Sequence, residues 1–140
     1  MAILVRDTDE ALKTYRDRLG LELVSSESLP EPRVKLTYLD LGNAFLQLLE
    51  PLDSSSEAAR ALATTGEGLH HICFGVDDVE QACRWFGTLP DTEELPSASG
   101  RGRKSAFVPG FQPHGVRLEC TEFREAEDAN TEPLPSRDPN

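Results

Sequence analysis

The chain has 140 residues, 38% of them hydrophobic, and a formal net charge of −11 at pH 7. This length is typical of one domain with a real core, and the acidic balance excludes nucleic acid and anionic membranes as favoured partners. The three cysteines form no Cys-x-x-Cys pair, which indicates reduced thiols rather than a disulfide framework. With no membrane-spanning apolar run and no visible signal peptide, we expect a cytoplasmic protein.

The first half of the chain predicts one helix and four strands. Asp7 is a candidate N-cap, with Glu10 three residues later as in a capping box. Gly20 is the expected end of the helix, residues 25–32 are predicted to form a polar loop, and Gly42-Asn43 is a hairpin turn. The predicted elements are a strand over 2–5, a helix over 7–18, and strands over 21–24, 34–41 and 44–49.

The second half follows a linker and a short helix over 56–65. Its predicted elements are a strand over 70–76, a helix over 79–86, a short edge strand over 91–95, and strands over 103–108 and 116–122. Residues 124–140 are acidic and proline-rich, which indicates a disordered tail. We therefore predict one domain over 1–123, made of a first module (1–52), a linker helix segment (53–66) and a second module (67–123).

The two halves repeat each other. Val5–Leu12 aligns with Val76–Cys83 at a shift of 71 (5 to 76), and Phe45–Leu49 aligns with Arg117–Thr121 at a shift of 72 (47 to 119). Each copy therefore predicts a βαβββ module in which a helix covers one face of a small sheet. We predict an α+β fold in which paired βαβββ modules surround an open-sided cleft, the usual place for a ligand.

Strand alternation places His71, Gln47 and Glu119 on the cleft side at matched positions of the two copies. The position that matches His71 in the first copy falls one residue before Met1, and a strand that begins at Met1 looks clipped. An imidazole, a carboxylate and an amide oxygen suit Co, Mn, Ni, Fe(II) or Zn. The three residues therefore predict a divalent-metal site.

The opposite face of the strand over 70–76 is predicted to pack under the second helix. Ile72, Phe74 and Val76 lie on this face, matching apolar residues of the first copy. His70 also points away from the cleft by this alternation, and is predicted to be structural.

Basic residues cluster locally despite the negative net charge. Arg101, Arg103 and Lys104 form one cluster, and Arg33 and Lys35 form another. Such clusters allow an acidic protein to bind an anionic small substrate.

The paired modules with ligands on cleft-facing strands resemble the vicinal oxygen chelate superfamily. This group includes glyoxalase I, extradiol dioxygenases, fosfomycin-modifying enzymes and methylmalonyl-CoA epimerases, and the likeness to the epimerases is the most specific. It covers about residues 1–122, and by it Gln47, His71 and Glu119 are three of four metal ligands. The stretches that carry it are Leu29–Glu31, Leu41–Asn43, Leu48–Leu52, Gly66–Phe74, Val76–Asp78 and Gly115–Glu119.

The resemblance implies a metal-dependent isomerase that inverts methylmalonyl-CoA or a similar acyl-CoA by removing its α-proton. Inversion requires an acid and a base on opposite faces of the planar intermediate. Glu119 is one candidate and Glu31, before the third strand, is the other. Arg103 and Lys104 are expected either to meet the phosphates of coenzyme A or to form a solvated strand end. The fold also implies a homodimer.

Two other classes remain open. One is another metal enzyme on the same scaffold, such as a glyoxalase-like lyase or a ring-cleaving dioxygenase. Dioxygenases use two His and one carboxylate, and a single His beside Gln47 disfavours that reading. The other is a metal-free protein that binds a small molecule.

Overall fold

The computed structural model describes residues 1–86, 101–108 and 112–123, and strands within these ranges form one curled, mixed sheet. The strands are β1 (Ala2–Leu4), β2 (Glu22–Pro30), β3 (Arg33–Asp40), β4 (Phe45–Pro51), β5 (Gly68–Val76), β6 (Ser105–Phe107) and β7 (Leu118–Glu122). The α-helices are α1 (Thr8–Leu12), α2 (Glu57–Thr65) and α3 (Val79–Trp85). A π-helical segment, Lys13–Arg18, continues α1, and a 3-10 turn spans Pro113–Gly115.

The strand order β2-β3-β4-β1-β5-β7-β6 shows the repeat directly. In each half the first strand pairs in parallel with the last, β1 with β4 and β5 with β7. The penultimate strand pairs antiparallel with the last, β3 with β4 and β6 with β7. An antiparallel pairing of β1 with β5 joins the halves. The predicted α+β class with paired modules is confirmed.

The helices over the outer face of the sheet begin at equivalent aspartates. The Asp7 carboxylate accepts the backbone N–H of Glu10 at 3.0 Å, and that of Asp78 accepts the N–H of Gln81 at 2.9 Å. Each bond satisfies one of the backbone donors that have no partner inside a helix. Both helices of the repeat therefore begin with the same N-cap hydrogen bond.

The core is divided between the two faces of the sheet. Under α1 the buried set is Val5, Leu12, Leu39, Leu46 and Leu48, and under α3 it is Val79, Cys83, Ala106, Val108 and Cys120. A third cluster lies on the inner face, where Ala58 of α2 packs among Leu4, Val34, Leu36, Tyr38 and Leu49. The linker helix therefore covers part of the inner face of the first module.

The predicted loop over 25–32 is wrong, because β2 continues to Pro30 and pairs with β3 to the end. This edge strand is exposed along most of its length, so it lacks the apolar alternation by which strands are recognised. Backbone pairing and side-chain bonds hold it instead, including one between the hydroxyls of Ser26 and Thr37 at 2.8 Å.

Smaller differences concern the helices and the second module. The predicted helix over 7–18 is α-helical only to Leu12; the Leu19 N–H then bonds the Thr14 carbonyl at 3.0 Å, five residues back. Phe74 was expected under α3 but is 52% exposed. The predicted strand over 91–95 and the tail over 124–140 lie outside the described residues, and the domain boundaries stay a prediction.

None of the three cysteines, all of them within the described residues, forms a disulfide bond. In the described ranges we find no helix of the length and apolarity needed to cross a membrane.

Replacing Leu48 by Ala should lower the free energy of unfolding by about 2–5 kcal/mol, because it leaves a cavity under α1. Leu48 is 0% exposed, whereas Leu19 is 64% exposed. Urea unfolding of Leu48→Ala and of the control Leu19→Ala measures the difference, with the control expected within about 0.5 kcal/mol of wild type. Equal losses in both variants would contradict this division of the core.

Candidate functional site

A cavity of about 450 Å³ lies between the two modules on the inner face of the sheet. Gln47, His71 and Glu119 all line it, as do Cys73 and Gly75, so the predicted cleft side of these strands is confirmed. β1 lies between the two halves of the site: its fully buried Ala2 pairs with Gln47 on one side and with His71 on the other.

The closest polar contact among the predicted residues joins His71 to Glu119. The imidazole Nε2 lies 2.9 Å from the carboxylate Oε2, with the side chains only 4% and 15% exposed. Burial raises the pKa of Glu119, but hydrogen bonds from His71, Cys73 and Ser105 outweigh it and lower the pKa below 4.5. Glu119 is therefore an ionised carboxylate at neutral pH.

The protons of the two histidines are fixed by Arg117. Its Nη1 lies 3.1 Å from Nε2 of His70, and because arginine only donates, this nitrogen of His70 accepts. His70 then carries its proton on Nδ1 and donates it to Nδ1 of His71 at 2.8 Å. His71 in turn donates from Nε2 to Glu119. Hydrogen bonds thus run in one direction from Arg117 to Glu119.

This arrangement corrects the expectation for His70. Its ring lines the cavity rather than pointing away from it. Burial, and then the charge of Arg117, lower its pKa from 6.5 to about 4, so it is neutral at neutral pH. Arg117, at which this series of hydrogen bonds begins, also forms an ion pair with Glu57 of α2 at 2.5 Å.

Gln47 is oriented by Tyr38, a residue that the sequence analysis did not single out. The amide Nε2 donates to the phenol oxygen at 2.8 Å, which directs the other amide atom, Oε1, to other partners. Burial is the main cause that raises the pKa of Tyr38 to about 12, so the phenol keeps its proton. The Gly42-Asn43 turn could have identified Tyr38 from the sequence, because a two-residue turn places Tyr38 directly opposite Gln47.

Two arginines of the predicted basic cluster also line the cavity. The Arg101 guanidinium carbon lies 4.7 Å from the Phe45 ring centroid and 5.3 Å from that of Tyr38, and Arg103 is only 5% exposed. Lys104, however, pairs with Glu80 of α3 on the outer face. The structure therefore separates Lys104 from Arg103, although the sequence analysis grouped them in one basic cluster.

Glu31 lies on the turn between β2 and β3 and is exposed. Its neighbours Leu29 and Pro32 line the cavity, but Glu31 is not among the lining residues. The structure thus places it at the rim and does not bring its carboxylate into contact with Glu119.

The donor set has the chemistry of a site for a hard or borderline divalent ion. In the part of the chain that the structure describes, no three His, Cys, Asp or Glu side chains form a metal-binding group. Three candidate ligands are present only if the amide oxygen of Gln47 is counted with the imidazole of His71 and the carboxylate of Glu119. One nitrogen and two oxygen donors fit Co, Mn, Ni or Zn.

The ionised Glu119 should make stability depend on pH in metal-free protein. Because the pKa of Glu119 is lowered on folding, its contribution to the free energy of unfolding is complete above the ordinary value of 4.5. This contribution is lost as the pH falls below that value. In Glu119→Gln, the free energy of unfolding from urea titrations should fall less steeply through this window. Asp17→Asn is the control: its pKa is also lowered, but its ion pair with Arg16 is exposed and screened. A Glu119→Gln curve parallel to that of wild type would contradict the assignment.

Comparison with known proteins agrees with this geometry. The profile of the glyoxalase/bleomycin resistance protein/dioxygenase superfamily matches residues 1–88. The crystal structure of a hypothetical protein from Bacillus halodurans has a TM-score of 0.79 at 32% identity, covering 89% of this chain and 91% of that one. A Streptomyces coelicolor methylmalonyl-CoA epimerase variant in complex with 2-nitronate-propionyl-CoA has a TM-score of 0.75 at 29% identity, covering 86% and 92%.

The mitochondrial methylmalonyl-CoA epimerase of Mus musculus is 36% identical over 83 residues, which are 59% of this chain and 47% of the relative. The match therefore spans about half the length of that mammalian enzyme. The chain belongs to the glyoxalase/bleomycin resistance protein/dioxygenase superfamily and is related to the methylmalonyl-CoA epimerases within it.

Proposed function

We propose that the protein is a metal-dependent epimerase of methylmalonyl-CoA or a similar acyl-CoA. One observation carries this proposal: Gln47, His71 and Glu119, from three strands of two modules, line one cavity, and Glu119 is held there as a buried carboxylate. The relationship to epimerases, one of them in complex with 2-nitronate-propionyl-CoA, supports the ligand class. A homodimer and a cytoplasmic location remain predictions.

Gln47, His71 and Glu119 would hold the ion through an amide oxygen, an imidazole nitrogen and a carboxylate. When bound, a divalent ion would supply a positive charge that stabilises the negative charge left by removal of an α-proton. The Nε2 of His71 carries a proton in its bond to Glu119, so ligation at this nitrogen would release that proton.

Two side chains have protonation states that suit proton transfer from the α-carbon. Glu119, ionised at neutral pH, accepts the proton on one face of the substrate. Tyr38 keeps its proton, and because Gln47 donates to its oxygen, its own O–H is directed to another acceptor. A protonated phenol in this position can donate to an oxygen on which negative charge develops.

Inversion also requires a group on the opposite face, and we assign this role to Glu31. It lies between Leu29 and Pro32, which line the cavity. A ligand that fills the cavity would extend to this turn, where the carboxylate is accessible. The assignment rests on this position at the rim.

A metal-free binding protein is the second candidate. It is favoured by the donor set, because among the described residues no three His, Cys, Asp or Glu side chains form a metal-binding group. In that case, acyl-CoA binding would be unaffected by chelators and no proton exchange would occur. The other metal enzymes of the superfamily would share the metal dependence but convert other substrates.

The proposal is tested by α-proton exchange. Cobalt-loaded protein in heavy water should remove the C2 hydrogen signal of methylmalonyl-CoA in NMR spectra faster than chelator-treated protein or buffer alone. Glu119→Gln should slow this loss by about 100-fold or more, because the accepting carboxylate is gone. Exchange no faster than in buffer with the wild-type protein would rule out the epimerase.

Replacing Glu31 by Gln should separate the two proton transfers. Exchange of one enantiomer of methylmalonyl-CoA should persist through Glu119, while conversion to the other enantiomer is lost, as measured with the separate enantiomers by chiral analysis. Glu22→Gln, an exposed change at the opposite end of the same edge strand, is the matched control and should interconvert both. Normal interconversion by Glu31→Gln would remove Glu31 from the mechanism.

A further inference from the structure

A bulge in β5 brings a second histidine into the cavity beside the proposed metal ligand. The pairing of β1 with β5 shifts register at this point: Ala2 lies opposite His71, whereas the next residue, Ile3, lies opposite Leu69. His70 is therefore the extra residue of a β-bulge, a feature that redirects side chains. Its ring lines the cavity but has no part in the chemistry proposed above.

Arg117 determines the direction of the hydrogen bonds between the two histidines. Because its Nη1 donates to Nε2 of His70 at 3.1 Å, the proton of His70 is on Nδ1 and is donated to Nδ1 of His71 at 2.8 Å. His71 then carries its own proton on Nε2 and donates it to Glu119 at 2.9 Å. Nε2 is also the nitrogen through which His71 would share an ion with that carboxylate.

Metal ligation by His71 requires the opposite arrangement of protons. A neutral imidazole that binds a metal through Nε2 keeps its proton on Nδ1 and donates it to a neighbouring acceptor. Here that neighbour is Nδ1 of His70, which would then carry its own proton on Nε2, opposite Arg117. Both rings are neutral in either arrangement, and only the nitrogens that carry the protons differ. Since arginine cannot accept, its bond to His70 does not survive the change.

Contacts around Arg117 hold the present arrangement in place. Its guanidinium carbon lies 5.7 Å from the centroid of the Phe107 ring, and Nη1 pairs with Glu57 of α2 at 2.5 Å. Phe107 in turn packs edge-on against His71 and His70, with centroids 5.0 and 6.2 Å apart. These contacts keep the guanidinium beside His70, so the arginine stays where it opposes the reversed arrangement.

We propose that Arg117 weakens metal binding, because it holds both histidines in an arrangement of protons that ligation by His71 has to reverse. The inference rests on the proposed function only in taking Gln47, His71 and Glu119 as the metal ligands. Arg117 acts through His70 and is therefore a positioning residue. The outer partners of a metal-ligating histidine usually strengthen binding, and their loss costs about 10–100-fold in affinity. The effect expected for Arg117 has the opposite sign.

The test measures the dissociation constant of cobalt by calorimetry, without substrate. Arg117→Gln should tighten binding by about tenfold or more, the usual effect of one hydrogen bond to a charged group, since an amide can accept from His70 as well as donate. Arg117→Lys keeps a side chain that only donates and should not tighten binding. His70→Gln keeps the arginine charge but gives Nδ1 of His71 a neighbour that can accept, so it should also tighten binding.

Two controls separate this effect from others. Arg18→Gln removes the same charge from the exposed end of the π-helical segment and should keep the wild-type affinity. Nitrogen chemical shifts of the histidine rings in chelator-treated wild type test the premise without a metal. They should place the proton of His71 on Nε2 and that of His70 on Nδ1.

A proton found on Nδ1 of His71, or cobalt binding by Arg117→Gln no tighter than by wild type, would overturn this inference and leave the epimerase proposal standing. Tightening in Arg117→Gln but not in His70→Gln would mean that only the charge matters, and would overturn it as well. Tightening in both variants of a protein without proton exchange would retain this inference and reject the epimerase. No cobalt binding by any of these proteins would reject both.

Discussion

The antiparallel pairing of β1 with β5 is the constraint on which the rest of the structure depends. It joins two modules that each leave one sheet face open, and so creates the cavity. It also places Gln47 and His71 on either side of Ala2, a residue small enough to be fully buried between them. Residues far apart in the chain therefore meet because β1 pairs with β4 on one side and with β5 on the other.

Within this frame the polar groups order one another. Arg117 only donates, so its contact with His70 determines the tautomers of both histidines and the direction of the bond to Glu119. Its ion pair with Glu57 extends this order to α2, which covers the inner face of module 1. The linker helix α2 thus packs against module 1 and, through Glu57, contacts the arginine that determines where the histidines of module 2 carry their protons.

The sequence predicted the features that follow from the repeat, namely the strands, the helix caps and the cleft-facing sides. It did not predict the features that depend on exposed backbone pairing or on hydrogen bonds between side chains. The matched aspartates, strands and cleft faces followed from periodicity, because burial imposes it. The continuation of β2 beyond Val24 was missed, since an exposed edge strand is stabilised by backbone pairing and has no apolar pattern. His70 was assigned to the wrong face because the pairing of β1 with β5 shifts register at this residue, so strict alternation does not hold there, and its ring bonds Arg117 and His71. The position of Tyr38 opposite Gln47 follows from the geometry of the hairpin, but residue composition gives no indication of it.

The repeat also explains why the cavity is polarised. Gln47 and Glu119 occupy matched positions, but only the second is charged, so the negative charge lies on the side of module 2. The Arg101 guanidinium lies against the rings of Phe45 and Tyr38 in module 1, and Tyr38 also bonds the neutral amide of Gln47. Divergence at one matched pair of positions is therefore enough to make the two sides of a pseudo-symmetric cleft chemically different.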